Sequence, residues 1–490
     1  MRGRNALILA AILALILAIT AWRLDGPRPG DFSARAAYDV LRSLLAENVP
    51  HPVESPANKL IRDRIVERFR QLGYSPQIQS ARACSKRGRC ANVENIVVLP
   101  QTPGDIVLGT AHYDSTPNGP GASDDGAGVV TMLEAARNFQ GHRFRNPVGF
   151  LITDGEEAGL LGAEAFVAEH SLSQNVRAVV NVENRGTSGP SFLFETSPDN
   201  RDLVPMFRTL NRPLTSSLFY TVYQLLPNDT DATVFKRAGK IAVNFAAIGG
   251  VQHYHKRTDD LAHVNLRTLQ HHGDNALGMM RALASADLRG MRRGNAVFFD
   301  VLGFDVMFWP ERWTIWIALV SLLVLLASMP RVPAREIWLG FLMVIVAVVA
   351  AAVIGVMAMK LMPGRLAEPA AAVAAMWLTG IACTLILTRK RPWQGRALVW
   401  HVLAIALALT LPGVSYLFLV PAIACAIAAH LPGRGWMAAP VPAILFFPLG
   451  LTLYTALGAL ALPAIAVLMS IFASTLVDRP LTSVSGRSRG

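Results

Sequence analysis

At 490 residues, 52% of them hydrophobic, and with a mean hydropathy of +0.36, the chain is too apolar to be an ordinary soluble protein. Its formal net charge of +12 would suit a nucleic-acid partner, but much of the excess sits in short loops between apolar runs, where Lys and Arg set membrane orientation instead. Nucleic-acid binding is excluded as the main role, and so is a single soluble domain.

Met1-Arg2-Gly3-Arg4 precedes a continuous apolar run from Ala6 to Trp22, a basic start and a segment long enough for a short transmembrane helix. Ala18-Ile19-Thr20-Ala21 is a poor cleavage site, so residues 1–30 read as an uncleaved signal-anchor followed by a Gly/Pro linker. Helical periodicity follows at 33–48 and 56–72, the second opened by Ser55-Pro56 and closed by Gly73. Apolar strand-like runs recur at 94–99, 105–112, 147–153, 177–183, 190–195 and 240–246. Helical patterns lie between many of them, at 126–140, 158–170, 199–211 and 265–287. This alternation predicts an α/β domain over 31–290, with a mixed, mostly parallel sheet between helices. In such sheets, sites form at the carboxyl ends of the strands.

Cys84 and Cys90 flank the basic run Ser85-Lys86-Arg87-Gly88-Arg89. They are a candidate local disulfide if the domain lies outside the cytoplasm, and two free thiols otherwise. Cys383 and Cys425 fall in apolar runs and read as small packing residues.

Residues 291–312, with the aromatic stretch Val297 to Trp309, read as a connector settling at the bilayer surface. Beyond it, apolar runs near 313–329, 337–359, 370–388, 397–411, 414–429, 439–456 and 458–477 predict an α-helical membrane domain of about seven helices, followed by a tail at 478–490. With the soluble domain outside, the inner connections hold Arg331, Arg335, Arg389, Lys390, Arg391, Arg396 and Arg434, and the tail adds Arg479, Arg487 and Arg489. The outer connections hold only Lys360 and Arg365. That asymmetry predicts a cytoplasmic C-terminus. Arg-over-Lys usage and Ala-rich spans point to a bacterial inner membrane, with the soluble domain in the periplasm. No span carries an Asp, Glu or Lys near its centre, which argues against ion-coupled transport.

The chemistry gathers at the predicted strand ends. His112 and Asp114 close the strand 105–112 and share a face. A Pro/Gly/Ser loop then leads to Asp124-Asp125, and Gly126 opens a helix. Asp154-Gly155-Glu156-Glu157 follows the strand 147–153, Glu183 closes the strand 177–183, and His253-Tyr254-His255 with Asp259 follows the strand 240–246. Imidazole and carboxylate are ligands suited to zinc. Each piece alone is equally an ordinary strand-end ion pair or a solvated loop; four in one domain are not expected by accident. His271-His272, inside the last soluble helix, read as core histidines. Gly-x-Ser-x-Gly and His-Glu-x-x-His are both absent, which disfavours serine hydrolysis and zincin chemistry.

The ordered set His112-Tyr-Asp114, Gly121-Ala-Ser-Asp124-Asp125, Gly155-Glu156-Glu157, Asn181-Val-Glu183, Asn228-Asp-Thr-Asp231 and Tyr254-His255 resembles the co-catalytic zinc exopeptidases of metallopeptidase family 28. More narrowly, the anchor, domain and multispan layout is similar to the membrane-embedded endoplasmic-reticulum (Fxna-like) subgroup. The resemblance implies a zinc-exopeptidase fold and two zinc ions bridged by Asp124, one also held by His112 and Glu183, the other by Glu157 and His255. It implies Glu156 as general base, Asp114 as the partner orienting His112, and Asp125 as the residue that follows the bridge. His255-Lys-Arg-Thr-Asp259-Asp260 departs from the family's His-Thr-x-x-Asp-Thr, which makes His253 a rival ligand. Arg185, Asp229, Asp231 and Tyr254 are candidate substrate contacts, with a loop-stabilising role equally open to Arg185, Asp229 and Asp231. The expected activity is an aminopeptidase acting on peptide or protein N-termini. Competing expectations are a glutaminyl cyclase-like, carboxypeptidase or dipeptidase activity on the same scaffold, and a non-catalytic binding ectodomain.

Overall fold

The structure, a computed structural model, describes residues 3–24, 30–100, 104–226, 228–291, 293–329, 332–361, 369–388, 393–431 and 435–476. It divides into two compact units, Trp22–Phe308 and a second formed by Met1–Ala21 with Trp309–Gly490. The first helix, α1 (Gly3–Leu24), runs across that division.

In the unit Trp22–Phe308, the elements follow as α2 (Ala34–Leu44), α3 (Pro56–Gln71), β1 (Gln77–Cys84), β2 (Cys90–Val98), β3 (Ile106–His112) and α4 (Gly126–Phe139). Next come β4 (Val148–Thr153), α5 (Leu161–Glu169), β5 (Val176–Asn184), β6 (Ser188–Thr196), α6 (Val204–Phe207), α7 (Ser217–Leu225) and α8 (Asp231–Arg237). The unit closes with β7 (Ile241–Gly249), α9 (Leu266–Ser285), β8 (Ala296–Val301) and β9 (Asp305–Pro310). Seven strands form one sheet in the order β1-β2-β4-β3-β5-β7-β6. The central four, β4-β3-β5-β7, run parallel, and β1, β2 and β6 add antiparallel edges. All seven residues of β3 are buried, as a central strand covered on both faces requires.

Side chains alternate between the faces. Val107, Val180 and Val182 pack with residues of α2, α3, α4 and α9 in one core, while Leu108 and Val179 join Phe166 and Phe235 of α5 and α8 in another. Helix starts follow the expected chemistry: Ser55 Oγ accepts from Asn58 N at 3.0 Å with Pro56 in the first turn, and Gly73 beyond the end takes φ +75°.

Several elements differ from expectation. The strand β1 has only one half-buried face, so its apolar signal is weak. The helix expected at 199–211 reduces to a 3-10 turn and the four-residue α6, which Pro205 can open but not extend into Pro213. The helix α7 was not expected, because Phe219, Tyr220, Thr221, Val222 and Tyr223 have strand propensity. Residues 291–312, expected as a bilayer-surface connector, instead hold the hairpin β8–β9, with Phe298 and Val306 in the main core of this unit.

That hairpin also takes the end of α1. Arg23 donates to Asp300 at 2.8 Å, both side chains about 5% exposed, and Asp300 also accepts from Gly303 N and Thr215 N. Arg212 lies 4.0 Å over the Trp22 ring. Removing one partner strands a buried charge, so Arg23→Ala is expected to cost about 3–5 kcal/mol. Denaturant unfolding of the purified chain checks this; an unchanged midpoint would show that Asp300 does not depend on Arg23.

In the other unit, helices α10 (Thr314–Ala327), α11 (Ala334–Leu361), α12 (Pro369–Thr388), α13 (Trp393–Thr410), α14 (Tyr416–Ala428), α15 (Pro440–Leu457) and α16 (Leu462–Ala473) follow one another. Among the described residues, four stretches are long and apolar enough to cross a membrane: Arg4–Arg23, Ala334–Leu361, Ala371–Thr388 and Gly435–Ala473. 3-10 turns at Pro412–Val414 and Gly458–Ala461 separate α13 from α14 and α15 from α16. Arg396 and His401 are buried within α13, polar groups that a search for acids and lysines passes over. His401 Nε2 lies 3.0 Å from Ser321 Oγ, and Trp400 donates to Ser474 Oγ at 2.9 Å. The tail and the loop cations Arg331, Arg365, Arg389, Lys390, Arg391 and Arg434 lie outside the described residues, as do residues 25–29 of the expected linker.

Candidate metal centre

The parallel strands deliver their last residues side by side. The strand β3 ends on His112, β4 runs into Asp154-Gly155-Glu156-Glu157, β5 carries Glu183 next to its last residue, and β7 leads through a 3-10 turn to Tyr254-His255. Asp124 and Asp125 sit between β3 and α4. The loop from strand to helix must turn at Gly121, whose φ of +60° suits glycine.

His112 Nε2 lies 3.3 Å from both Asp124 Oδ1 and Glu183 Oε1. His255 Nε2 lies 3.0 Å from Asp124 Oδ2 and 3.1 Å from Glu157 Oε1. Asp124 thus turns one oxygen toward each histidine. Two tetrahedral zinc ligands, each about 2.0–2.1 Å from the ion, stand about 3.3 Å apart, so these spacings suit atoms that converge on a shared cation. His112 Nε2, Asp124 Oδ2 and Glu157 Oε1 are buried without a hydrogen-bond partner. Such atoms are costly to bury, and a cation would satisfy all three. The donor set, imidazole nitrogen and carboxylate oxygen, fits zinc.

Electrostatics tell the same story from protein groups alone. Burial raises the pKa of Glu157 and Glu183 to about 7, with the neighbouring Asp124 charge adding to it. Burial also pushes Glu156 well above the usual carboxylate range. For Asp124, burial acts upward, but His112 and His255 outweigh it and hold its carboxyl below that range. Burial opposes a charge on His255, yet Asp124 and Glu157 raise it to about 10. Four acids, Asp124 buried and Glu156, Glu157 and Glu183 half-buried, surround two imidazoles and are poised for added positive charge.

The supporting residues are as ordered as the ligands. His112 Nδ1 lies 2.9 Å from the Asp114 carbonyl oxygen and 3.4 Å from its carboxylate, which leaves Nε2 facing Asp124 and Glu183. The Asp114 carboxylate accepts from the backbone of Glu156 (2.9 Å) and Glu157 (3.2 Å), so it also holds the Glu-Glu turn. An Asp125 oxygen lies within 4.8 Å of ligand atoms of His112 and Glu183. Its two oxygens are taken, however: Oδ1 caps α4 through Gly128 N and Oδ2 accepts from His112 N. Asp125 is thus held by the backbone on both oxygens, whereas Asp124 turns one oxygen to each histidine.

Sequence reasoning passed over three further braces. Asp259, quoted only for its spacing, is buried and accepts from Ser123 N (2.9 Å) and Asp124 N (3.1 Å). Asn184 donates to Ser123 O at 3.1 Å, and His272 Nε2 lies 2.8 Å from Asn184 Oδ1. Burial lowers the pKa of His271 and His272 to about 4 and about 3, and both rings are engaged: His271 with Ser191 N and Arg212 O, His272 with Ser191 Oγ and Asn184. The Asn after Glu183 was the available signal.

Among the candidate substrate contacts, Tyr254 stacks on His255 with ring centroids 3.7 Å apart, and exposed Arg185 lies 5.9 Å from the Tyr254 ring. Asp231, at the start of α8, is buried and accepts from Thr153 Oγ1, with its other oxygen unpartnered. Asp229 is exposed. His253 faces His263, ring centroids 4.3 Å apart, and lies outside both ligand groups, whereas His255 belongs to one. Cys84 and Cys90 pair as a disulfide across the end of the β1–β2 hairpin.

Residues 95–280 match the model of the family described as Peptidase family M28. The chain is 33% identical over 235 residues to human "Endoplasmic reticulum metallopeptidase 1", covering 45% of this chain and 26% of that protein. It is 30% identical over 247 residues to "Vacuolar membrane protease" of Yarrowia lipolytica, covering 50% and 24%. The chain thus matches only about a quarter of the length of these relatives. Among solved structures, it is similar to a Zn-dependent exopeptidase from Parabacteroides distasonis with a TM-score of 0.43 and 18% identity, covering 52% of this chain and 99% of that one.

Proposed function

We propose that this chain, which carries an M28 peptidase domain over residues 95–280, is a membrane-embedded zinc exopeptidase that removes residues from peptide N-termini. The observation that carries the reading is the single carboxylate of Asp124 set between His112 with Glu183 on one side and His255 with Glu157 on the other. Those five residues would hold two zinc ions. Bound there, zinc would supply a Lewis acid for the scissile carbonyl and lower the pKa of a water from 15.7 toward about 7.

The protein's own groups supply the rest. Glu156 takes the proton of the attacking water and returns it to the leaving amine. Its buried surroundings raise its proton affinity, which suits a group that must hold that proton between the two steps. Asp114 fixes Glu156 through the backbone, so the base is set by the strand end rather than by a free loop. The apolar stretches anchor the domain to a membrane, with the domain itself outside the cytoplasm.

The test is direct. Full-length protein, purified in detergent and equilibrated with zinc, is expected to bind close to two zinc ions per chain and to hydrolyse aminoacyl-anilides. A folded chain that binds no zinc would end the enzyme reading and leave a binding ectodomain.

A further inference from the structure

We infer that the mouth of this site selects substrates carrying a carboxylate close to the scissile bond, through a collar of unpaired cations that rises from the ligand-bearing segments. This rests on the peptidase reading above. The strongest member is Arg89. The disulfide-closed turn Cys84–Cys90 packs on the segment after Glu157: the Arg89 guanidinium reaches within 3.5 Å of the Glu157 carbonyl oxygen, and a Cβ on Gly159 would meet Ser85 Cβ at 2.6 Å. Lys86 and Arg87 stand on the same turn. Arg185 follows Glu183 by two residues and lies 5.9 Å from the Tyr254 ring that stacks on His255. Lys256 and Arg257 follow His255 directly.

All six side chains are exposed, and among the described residues none has an acidic group within 4.0 Å. Elsewhere in the same unit, exposed or half-buried arginines commonly do: Arg64 with Glu47, Arg137 with Glu134, Arg208 with Asp305, Arg237 with Glu164 and Arg281 with Asp31. Arg82 and Arg143 are likewise exposed without an acidic partner, so what singles out Arg89 and Arg185 is their placement against Glu157 and Tyr254. The charge of the three ligand carboxylates would be taken up by two divalent cations once the site is filled. Exposed cations beside the ligand-bearing segments, Arg89 and Arg185 first, attract anions and disfavour cationic peptides. The chemistry it recognises is a carboxylate, either the C-terminus of a short peptide or an acidic side chain beside the cleaved bond.

Full-length zinc-loaded protein should be assayed with Leu-Ala, Leu-Ala-amide and Leu-Glu-amide at low and high salt. Calorimetric binding of the same peptides to the Glu156→Gln chain gives a readout that does not need turnover. We expect KM and Kd about three- to tenfold lower for the carboxylate peptides than for Leu-Ala-amide, as a few exposed charge pairs would give, with the advantage shrinking in high salt. Preference for Leu-Ala alone assigns the C-terminal carboxylate; preference for Leu-Glu-amide alone assigns the side chain. In Arg89→Gln combined with Arg185→Gln, the ratio between carboxylate and amide peptides should fall toward one, and Arg89→Lys should keep it. A purely structural role for Arg89 would instead lower kcat for every peptide and leave the ratio intact. Equal KM and Kd for acid and amide, or binding of neither, overturns the collar. Selective binding without turnover in the parent chain sinks the peptidase reading instead.

Discussion

Replacing Glu156 with Gln is expected to lower kcat by about 10²–10⁴-fold while zinc content stays that of the parent chain. Gln is nearly isosteric, and the backbone bond from Glu156 N to Asp114 Oδ1 does not involve the side chain. The turn that carries Glu157 should therefore stay in place. Glu157→Gln makes the contrast: Glu157 Oε1 faces His255 Nε2 at 3.1 Å and is otherwise unpartnered, so its loss should lower zinc content as well as rate. Metal analysis beside initial rates separates the two. If Glu156→Gln lost zinc, or kept its rate, Glu156 would not be the base.

The second large effect is on stability. Stripped of zinc, the site buries Glu157 and Glu183 with pKa values near 7, above the 4.5 of an exposed carboxyl. A group whose folded pKa is raised stabilises the fold below its unfolded pKa, and that contribution disappears as pH climbs through the folded value. His255, raised to about 10, acts in the same direction and loses its contribution at higher pH still. Zinc works oppositely, because its ligands must be deprotonated to bind it. A ligand at 100 times its Kd adds about 2.7 kcal/mol. The gap in Tm between zinc-loaded and chelated protein is thus expected to widen between about pH 5 and about pH 8. Differential scanning fluorimetry in the same detergent reads it. A gap that is flat or narrows with pH would mean these acids are not the metal's ligands.

By itself, the sequence determined the class of the domain and the candidate ligand residues that the fold brings together. The buried runs of β3, β4, β5 and β7 and the helices between them are legible because a parallel sheet covered on both faces demands continuous apolar strands. His112, Asp124, Glu157, Glu183 and His255 are legible because such a sheet aligns the carboxyl ends of its strands, whatever their separation along the chain. Apolar length likewise marked the stretches that could cross a membrane, although among the described residues four rather than the eight expected are long and apolar enough.

Tertiary structure supplied the geometry that separates neighbouring acids. Asp124 and Asp125 are adjacent and chemically identical; only their hydrogen bonds show one capping α4 and the other lying between the histidines. Asp259, Asn184 and His272 act on the Asp124 loop across separations of 61 to 135 residues, or through one another, and periodicity carries no information at that range. The hairpin β8–β9 was hidden because its aromatic residues suit a bilayer surface and a protein core equally; Asp300, buried against Arg23 277 residues away, settles it for the core. Local preference is written in neighbours along the chain, whereas the pairing of buried charges is a property of distances that only the folded chain creates.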